Sequence, residues 1–295
     1  GDERLAMSDA VWTGPVDDPR RYRVPTVDGV PVPVAAHGPK GVVYHAWTTY
    51  GSPGGQEREV ALKLKPLLRI RDAEELERRC TLLRQLDHPG LMKPVEAFVG
   101  TALTDAEPGQ LDDEDFDLLW IATRWVPGRT LSTMEIDDVG RALRLVGDVA
   151  RATQAMHDTR TALTPDGLVH RDLKPSNVMV GSDLGPVIID YGSASPVNEA
   201  WEPTGTPGWL APEVASGELA RQPADRWGVG AIGHHLLCGR PPQLDGAACS
   251  LERLRAGLRS SGLPKAEQIA VHLSRLLESD PARRPSDLSR WADEL

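Results

Sequence analysis

Residues 170–177, HRDLKPSN, hold an acid, a cation and a carboxamide at fixed offsets. Moving a phosphoryl group needs positioned charge more than covalent chemistry, and these three side chains would supply it. Asp172 would accept a proton from an attacking hydroxyl. Lys174 would neutralise charge on the transferred group, and Asn177 would hold a metal. The chain has only two Asn and six Lys, so their meeting in one short run is selective. Thirteen residues after Asn177, VIIDYG (187–192) ends an apolar strand-like run in Asp190 and Gly192. An isolated Asp-x-Gly is mostly a turn, but behind a buried strand it presents a carboxylate suited to Mg²⁺. VALK (60–63) also ends a strand-like run, in Lys63. Taken alone, it reads as a surface lysine.

The elements that would position these groups follow from periodicity. From about 22 to 65 the chain shows short β runs with Gly/Pro breaks: VPVPVAA, GVVYHAW and EVALKLK. Residues 71–86 then place Leu76, Cys80, Leu83 and Leu86 on one helical stripe. PVEAFVG and LLWIATRWV read as further strands, with an acidic solvated loop between them. After Pro127 the pattern becomes helical, with a long amphipathic helix up to Asp158 and others at 225–238, 265–279 and 285–294. Strands with one helix, followed by helices, predict an α+β protein of two lobes. Residues 1–21 read as an N-terminal extension, those before Met7 being a cloning remnant; 22–126 form the first lobe and 127–295 the second.

Composition narrows the function classes. At 295 residues the chain is long enough for a sizeable core. A net charge of −10 argues against nucleic acid or an anionic membrane as partner, and the scattered tryptophans form no stacking platform. No apolar run reaches the length of a membrane span. Cys80, Cys238 and Cys249 lack ligand or disulfide spacing and read as reduced thiols, which points to the cytoplasm. His234 and His235 point about 100° apart on a helix and would pack rather than share a metal. Arg outnumbers Lys 27 to 6, a bias that fits a GC-rich bacterial genome.

With these motifs in order, the chain resembles the eukaryotic-like (Hanks-type) protein kinases, and most closely the bacterial, actinobacterial Ser/Thr group. The resemblance runs from about residue 22 to 295 through GPKGVVYHA, VALK, HRDLKPSN, DYG, GTPGWLAPE, DRWGVG and DPARRPS. It implies a bilobal kinase-like fold, with a small β-rich N-lobe carrying one helix and a larger helical C-lobe. It implies ATP and Mg²⁺ as cofactors and protein Ser/Thr hydroxyls as substrates, the kinase itself in trans among them. Carried over by residue, Lys63 would hold the α/β-phosphates, Asp172 would be the base, and Asn177 and Asp190 would hold Mg²⁺. Gly38 and Gly41 would let the backbone approach phosphates. Val43 and Ala61 would pack on adenine, with Thr123 as gatekeeper and the main chain from Arg124 to Val126 reading the adenine edge. Asp225 would anchor the catalytic loop, and Glu213 would pair with Arg284. Lys174 and GTPGW favour Ser/Thr over Tyr. Thr206 would bond Asp172 or Lys174, Arg171 would meet a phosphorylated loop, and Thr204 is the favoured regulatory acceptor.

Three departures from the family pattern stand out. Ala36 replaces the first glycine of the phosphate loop, and Tyr191 replaces the Phe of the metal motif. Arg79 stands where a Glu should pair with Lys63; Glu75 lies one turn earlier on the same face, and Glu77 is the poorer substitute. These departures motivate a second reading, a pseudokinase that binds ATP as a regulatory or scaffold module. A small-molecule phosphotransferase is a third, and GTPGWLAPE, a peptide-docking loop, speaks against it.

Overall fold

In EVALKLK, apolar and polar residues alternate, and a strand sends alternate side chains to opposite faces. Val60 and Leu62 accordingly lie in the core while Ala61 and Lys63 face the other way. This segment is one strand of a computed structural model that describes residues 10–36, 41–65, 70–162, 164–181, 185–197, 205–243, 247–259 and 262–295. The side chains of residues 36, 70–73, 75–76, 79 and 247–249 are outside that description. The chain divides into two compact units, residues 1–85 with 93–126, and 86–92 with 127–295.

The first unit is built on β1 (Ala10–Thr13), β2 (Tyr22–Val27), β3 (Val30–Pro31), β4 (Ala35–Ala36), β5 (Val42–Thr48) and β6 (Arg58–Lys65). After the helix α1 (Ile70–Leu83) come β7 (Pro94–Gly100) and β8 (Leu118–Arg124). The strand order is β1-β2-β5-β6-β8-β7, with β3 on β2 and β4 on β5, and every pairing is antiparallel. Tyr22, Val24, Ala46, Val60, Leu62, Phe98, Trp120 and Ala122 make its core. Gly41 has φ +103, and a Cβ there would lie 2.1 Å from the Leu64 carbonyl oxygen. Only glycine permits both the left-handed backbone and that approach.

The extension expected at residues 1–21 is in part a component of this sheet. β1 pairs with β2, and Trp12 and Thr104 exchange backbone hydrogen bonds of 2.7 and 3.1 Å just beyond β7. Thr13 Oγ1 donates to the Thr101 carbonyl at 2.9 Å. The Pro/Asp-rich composition hid the alternation, because the strand is only four residues long. Arg21 then inserts its guanidinium beside buried Glu96, at 2.9 Å, and Tyr22 donates its hydroxyl to the same carboxylate at 2.7 Å. Burial, and then the charge of Glu96, push the Tyr22 phenol far up, so it stays a donor. Tyr22→Phe should therefore cost about 1–3 kcal/mol, read as a lower urea midpoint, because the buried carboxylate loses a partner and gains no water.

The second unit contains β9 (Arg129–Thr130), α2 (Val139–Asp158), β10 (Leu168–Val169), β11 (Val178–Val180), β12 (Pro186–Ile188) and β13 (Ser195–Pro196). The helices α3 (Pro212–Ala215), α4 (Gln222–Cys238), α5 (Ala247–Arg259), α6 (Ala266–Ser274) and α7 (Leu288–Asp293) follow. α4 is buried from Trp227 through His234, a stretch in which every residue but His234 is apolar or glycine. α2, α5, α6 and the turn at Arg275–Leu277 pack on it, and α7 packs on α2. α5 was not anticipated, although Leu254 and Leu258 recur at helical spacing and are buried. The helix expected at 285–294 starts at Leu288, where Asp287 caps it by accepting from the Arg290 amide at 2.9 Å. Among the described residues, no helix is long and apolar enough to cross a membrane.

Candidate active site

Two short sheets, β10-β13 and β12-β11-β9, flank the HRDLKPSN segment in the second unit. Between β10 and β11 the chain must turn sharply, and it does so at Arg171, whose φ is +69. A non-glycine residue there needs outside support. That support is Asp225 near the start of α4, fully buried, whose Oδ2 accepts from the His170 amide at 2.7 Å and Oδ1 from the Arg171 amide at 2.9 Å. The Nε2 of His157, at the end of α2, lies 2.9 Å from the same Oδ2. Burial alone would raise the Asp225 pKa. The His157 hydrogen bond, the imidazole charges and the His170 amide outweigh it and hold the carboxyl below the ordinary range.

A carboxyl depressed by folding contributes stability that is full above the unfolded pKa and is lost as pH falls through the folded one. The urea midpoint should therefore decline on acidification into the carboxylate range. Asp225→Asn, which has no proton to take up, should show a flatter profile over that range.

On this turn the expected catalytic side chains converge. Lys174 Nζ donates to Asp172 Oδ2 at 2.7 Å, and Thr206 Oγ1 donates to Oδ1 at 2.9 Å. Lys174 also donates to the Thr206 hydroxyl, so Thr206 meets both partners named for it. Asn177 Nδ2 donates to the Asp172 carbonyl at 2.7 Å, which commits its nitrogen and turns its oxygen to other use. The Ile189 amide donates to the Asn177 main-chain carbonyl at 2.8 Å and so ties this turn to Asp190. Asp190 has φ +62 and caps the next turn by accepting from the Gly192 amide at 3.3 Å. Tyr191 is buried; its ring meets His170 edge-on at 5.8 Å, and its hydroxyl donates to the Ile188 carbonyl at 3.2 Å. The Tyr-for-Phe change thus finds a hydrogen-bond partner for its added polar atom. Arg171 Nη2 donates to the Pro196 carbonyl at 3.4 Å.

Glu213 and Arg284 form a two-pronged ion pair of 2.7 and 2.8 Å, and Arg284 also donates to the Glu278 and Pro223 carbonyls. His234 is packed inside, with Nδ1 2.8 Å from the Arg240 carbonyl oxygen. Cys80 and Cys238 are free thiols, and burial pushes them up to about 12 and about 11. Thr204 and Gly38 lie outside the described residues.

The first unit carries the remaining residues on the sheet face opposite its core. Val43 is paired with Lys63, and Ala61 with Thr123, so these four share that face. At the end of β8 the Arg124 amide donates to the Lys93 carbonyl at 3.1 Å and the Trp125 amide to the Glu59 carbonyl at 3.4 Å. Among the described residues, the Val126 amide meets no acceptor. His45, on the same face as Ala61, stacks on Trp125 at 3.9 Å and also contacts Trp47. Sequence reading missed this cluster, as it missed His157, and the alternation His45-Ala46-Trp47 in β5 was the available sign. The side chains of Glu75 and Arg79 in α1 lie outside the described residues. Glu77 is engaged by the Ala97 amide of β7 at 2.8 Å, by the Thr81 hydroxyl at 3.4 Å and by Arg84.

The sequence pattern of the protein kinase domain matches residues 37–293. The chain is 31% identical over 265 residues to the serine/threonine-protein kinase AfsK of Streptomyces coelicolor, covering 85% of this chain and 30% of that one. It is 35% identical over 167 residues to PkaA, another serine/threonine-protein kinase of that organism, covering 50% of this chain and 30% of that one. With the calcium/calmodulin-dependent protein kinase type II of Caenorhabditis elegans it shares 30% over 219 residues, covering 72% and 28% respectively. The chain therefore spans less than a third of the length of each of these relatives. The match embraces the Asp172 turn, the Lys63 strand and the Asp225 anchor alike, and on it the chain belongs to the protein kinase domain family.

Proposed function

We propose that this domain transfers the γ-phosphate of Mg-ATP to serine and threonine hydroxyls of proteins, its own among them. The observation that carries this reading is the Asp172 carboxylate, which accepts from a threonine hydroxyl at 2.9 Å and from Lys174 at 2.7 Å. The Thr206 hydroxyl supports this reading, since it donates to Asp172 as a substrate hydroxyl would.

In the reaction the substrate oxygen bonds to the γ-phosphorus as the bond from phosphorus to the β–γ bridging oxygen breaks. The hydroxyl proton passes to Asp172. Lys174 then loses part of its hold on a carboxylate that has become neutral, and its ammonium is available to the transferred oxygens. Lys63 would hold the α/β-phosphates, and Gly38 and Gly41 would let the backbone approach them. Val43, Ala61 and Thr123 would line the adenine side, with the Val126 amide reading its edge.

The residues fit Mg²⁺ in their chemistry. The Asn177 nitrogen is committed to Asp172, so a carboxamide oxygen is left over, and Asp190 adds a carboxylate. Hard oxygen donors suit this cation. When bound, it would neutralise the charge developing on the phosphate oxygens.

Among the acceptors between Asp190 and Glu213, Thr204 is the favoured regulatory site, since the Thr206 hydroxyl is already shared by Asp172 and Lys174. Incubation with labelled ATP and Mg²⁺ should give incorporation into the domain itself and into Ser/Thr peptides. No incorporation, while ATP still raises the melting temperature, would replace this reading with that of an ATP-binding module.

A further inference from the structure

The loop that carries Thr206 to the base borders a second concavity. A groove of about 500 Å³ is lined by Gly208, Arg240, Pro241, Pro242 and Gln243. Gly208 is two residues beyond Thr206, has φ +86, and has open space where a side chain would stand. Both walls are rooted on the end of α4. On one side Trp209 meets His235 edge-on at 5.5 Å, and on the other His234 Nδ1 lies 2.8 Å from the Arg240 carbonyl oxygen. Gly239, in the left-handed conformation at φ +71, ends α4 and turns the chain into the second wall. The groove is therefore a fixed feature of the same helix whose first turn, through Asp225, anchors the catalytic turn.

Its charge is unusual for this chain. The net charge is −10, and Arg20, Arg21, Arg23, Arg84, Arg151, Arg255 and Arg284 all pair with carboxylates. Arg240 is exposed, and among the described residues no carboxylate meets its guanidinium. Arg253 is close by: it donates to Gln243 Oε1 at 2.6 Å, and both arginines act electrostatically on His234 and Cys238. His235 adds no second cation here, since burial lowers its pKa. At physiological ionic strength fields fade over about 8 Å. A peptide in the groove therefore responds to Arg240 rather than to the acidic surface as a whole.

We propose that this groove is a substrate subsite, and that Arg240 selects peptides with an Asp or Glu side chain within a few residues of the phosphoacceptor. The proposal rests on the kinase reading and gives it a substrate class. Peptide lying across Gly208 brings its acceptor hydroxyl to Asp172 and a neighbouring side chain to Arg240. The prolines supply an apolar wall for the aliphatic stem of that residue.

The test is a set of Ser/Thr peptides carrying Glu, Gln or Lys at each position within four residues of the acceptor. The wild-type chain should prefer Glu at one or more positions by about three- to fivefold in kcat/KM, the range of an exposed ion pair. High salt should weaken that preference. Arg240→Gln should abolish it and Arg240→Glu should invert it towards Lys. Phosphorylation of all peptides with no Glu preference, or a preference that survives both substitutions, overturns the proposal alone. A wild-type chain that labels itself but no peptide overturns the proposal alone, and one that labels neither overturns the kinase reading with it.

Discussion

Asp172→Asn lowers the rate of phosphate incorporation by about 10²–10⁴, the usual contribution of a positioned base, while ATP continues to raise the melting temperature. The substitution keeps size and shape, and Oδ1 can still accept from the Thr206 hydroxyl. What it removes is the proton acceptor and the negative partner of Lys174 at 2.7 Å. The fold should tolerate this, because the turn is held by Asp225 through the His170 and Arg171 amides. Rate and stability therefore separate cleanly. Labelled-ATP incorporation gives the first, and thermal denaturation with and without ATP and Mg²⁺ gives the second. A variant that retains activity within tenfold of the wild type would show that Asp172 is not the base.

Arg284→Ala destabilises the second unit by about 3–5 kcal/mol, the expected cost of leaving one member of a buried ion pair alone. The Arg284 side chain is fully buried and that of Glu213 nearly so, at 0% and 9% exposure. The guanidinium also satisfies two carbonyls, those of Glu278 and Pro223. Removing it strands a carboxylate and two carbonyl oxygens out of reach of water. The charge itself is not the source of stability, since desolvation largely offsets the attraction between the partners. The double variant Glu213→Leu with Arg284→Met should accordingly recover much of the loss. Urea unfolding followed by intrinsic fluorescence measures both, because Trp227 packs against the guanidinium at 5.3 Å. If the single variant costs less than about 1 kcal/mol, the pair is not a structural anchor.

The residues legible in the sequence share one property: their partners lie within a short stretch of chain or at a conventional spacing. Asp172, Lys174 and Asn177 are within six residues of one another, and the alternation in β6 placed Lys63 and Ala61 on the face away from Val60 and Leu62. Long-range partners were less visible. His157 reaches Asp225 across 68 residues and Arg21 reaches Glu96 across 75. No local pattern marks either side chain as the partner of a buried carboxylate. Trp125 and His45 meet because β5, β6 and β8 are neighbours, a consequence of sheet order rather than of periodicity. α5 was a different kind of omission, since Leu251, Leu254 and Leu258 advertise a helix whose segment carried no motif to draw attention. The short strand β1 was hidden by prolines and aspartates that shape the turn after it.

The exchange between Trp12 and Thr104 has a practical consequence for anyone expressing this domain. In a sheet ordered β1-β2-β5-β6-β8-β7, that bridge joins the two outermost regions, so neither flank is left wholly as a bare row of amides and carbonyls. Trimming the chain to begin at Tyr22 would strip both flanks at once, exposing β2 and the segment after β7 as templates for another molecule's strand. The penalty would fall on solubility and yield before it reached catalysis. An affinity tag belongs ahead of Ala10, with the Ala10–Thr13 strand left whole.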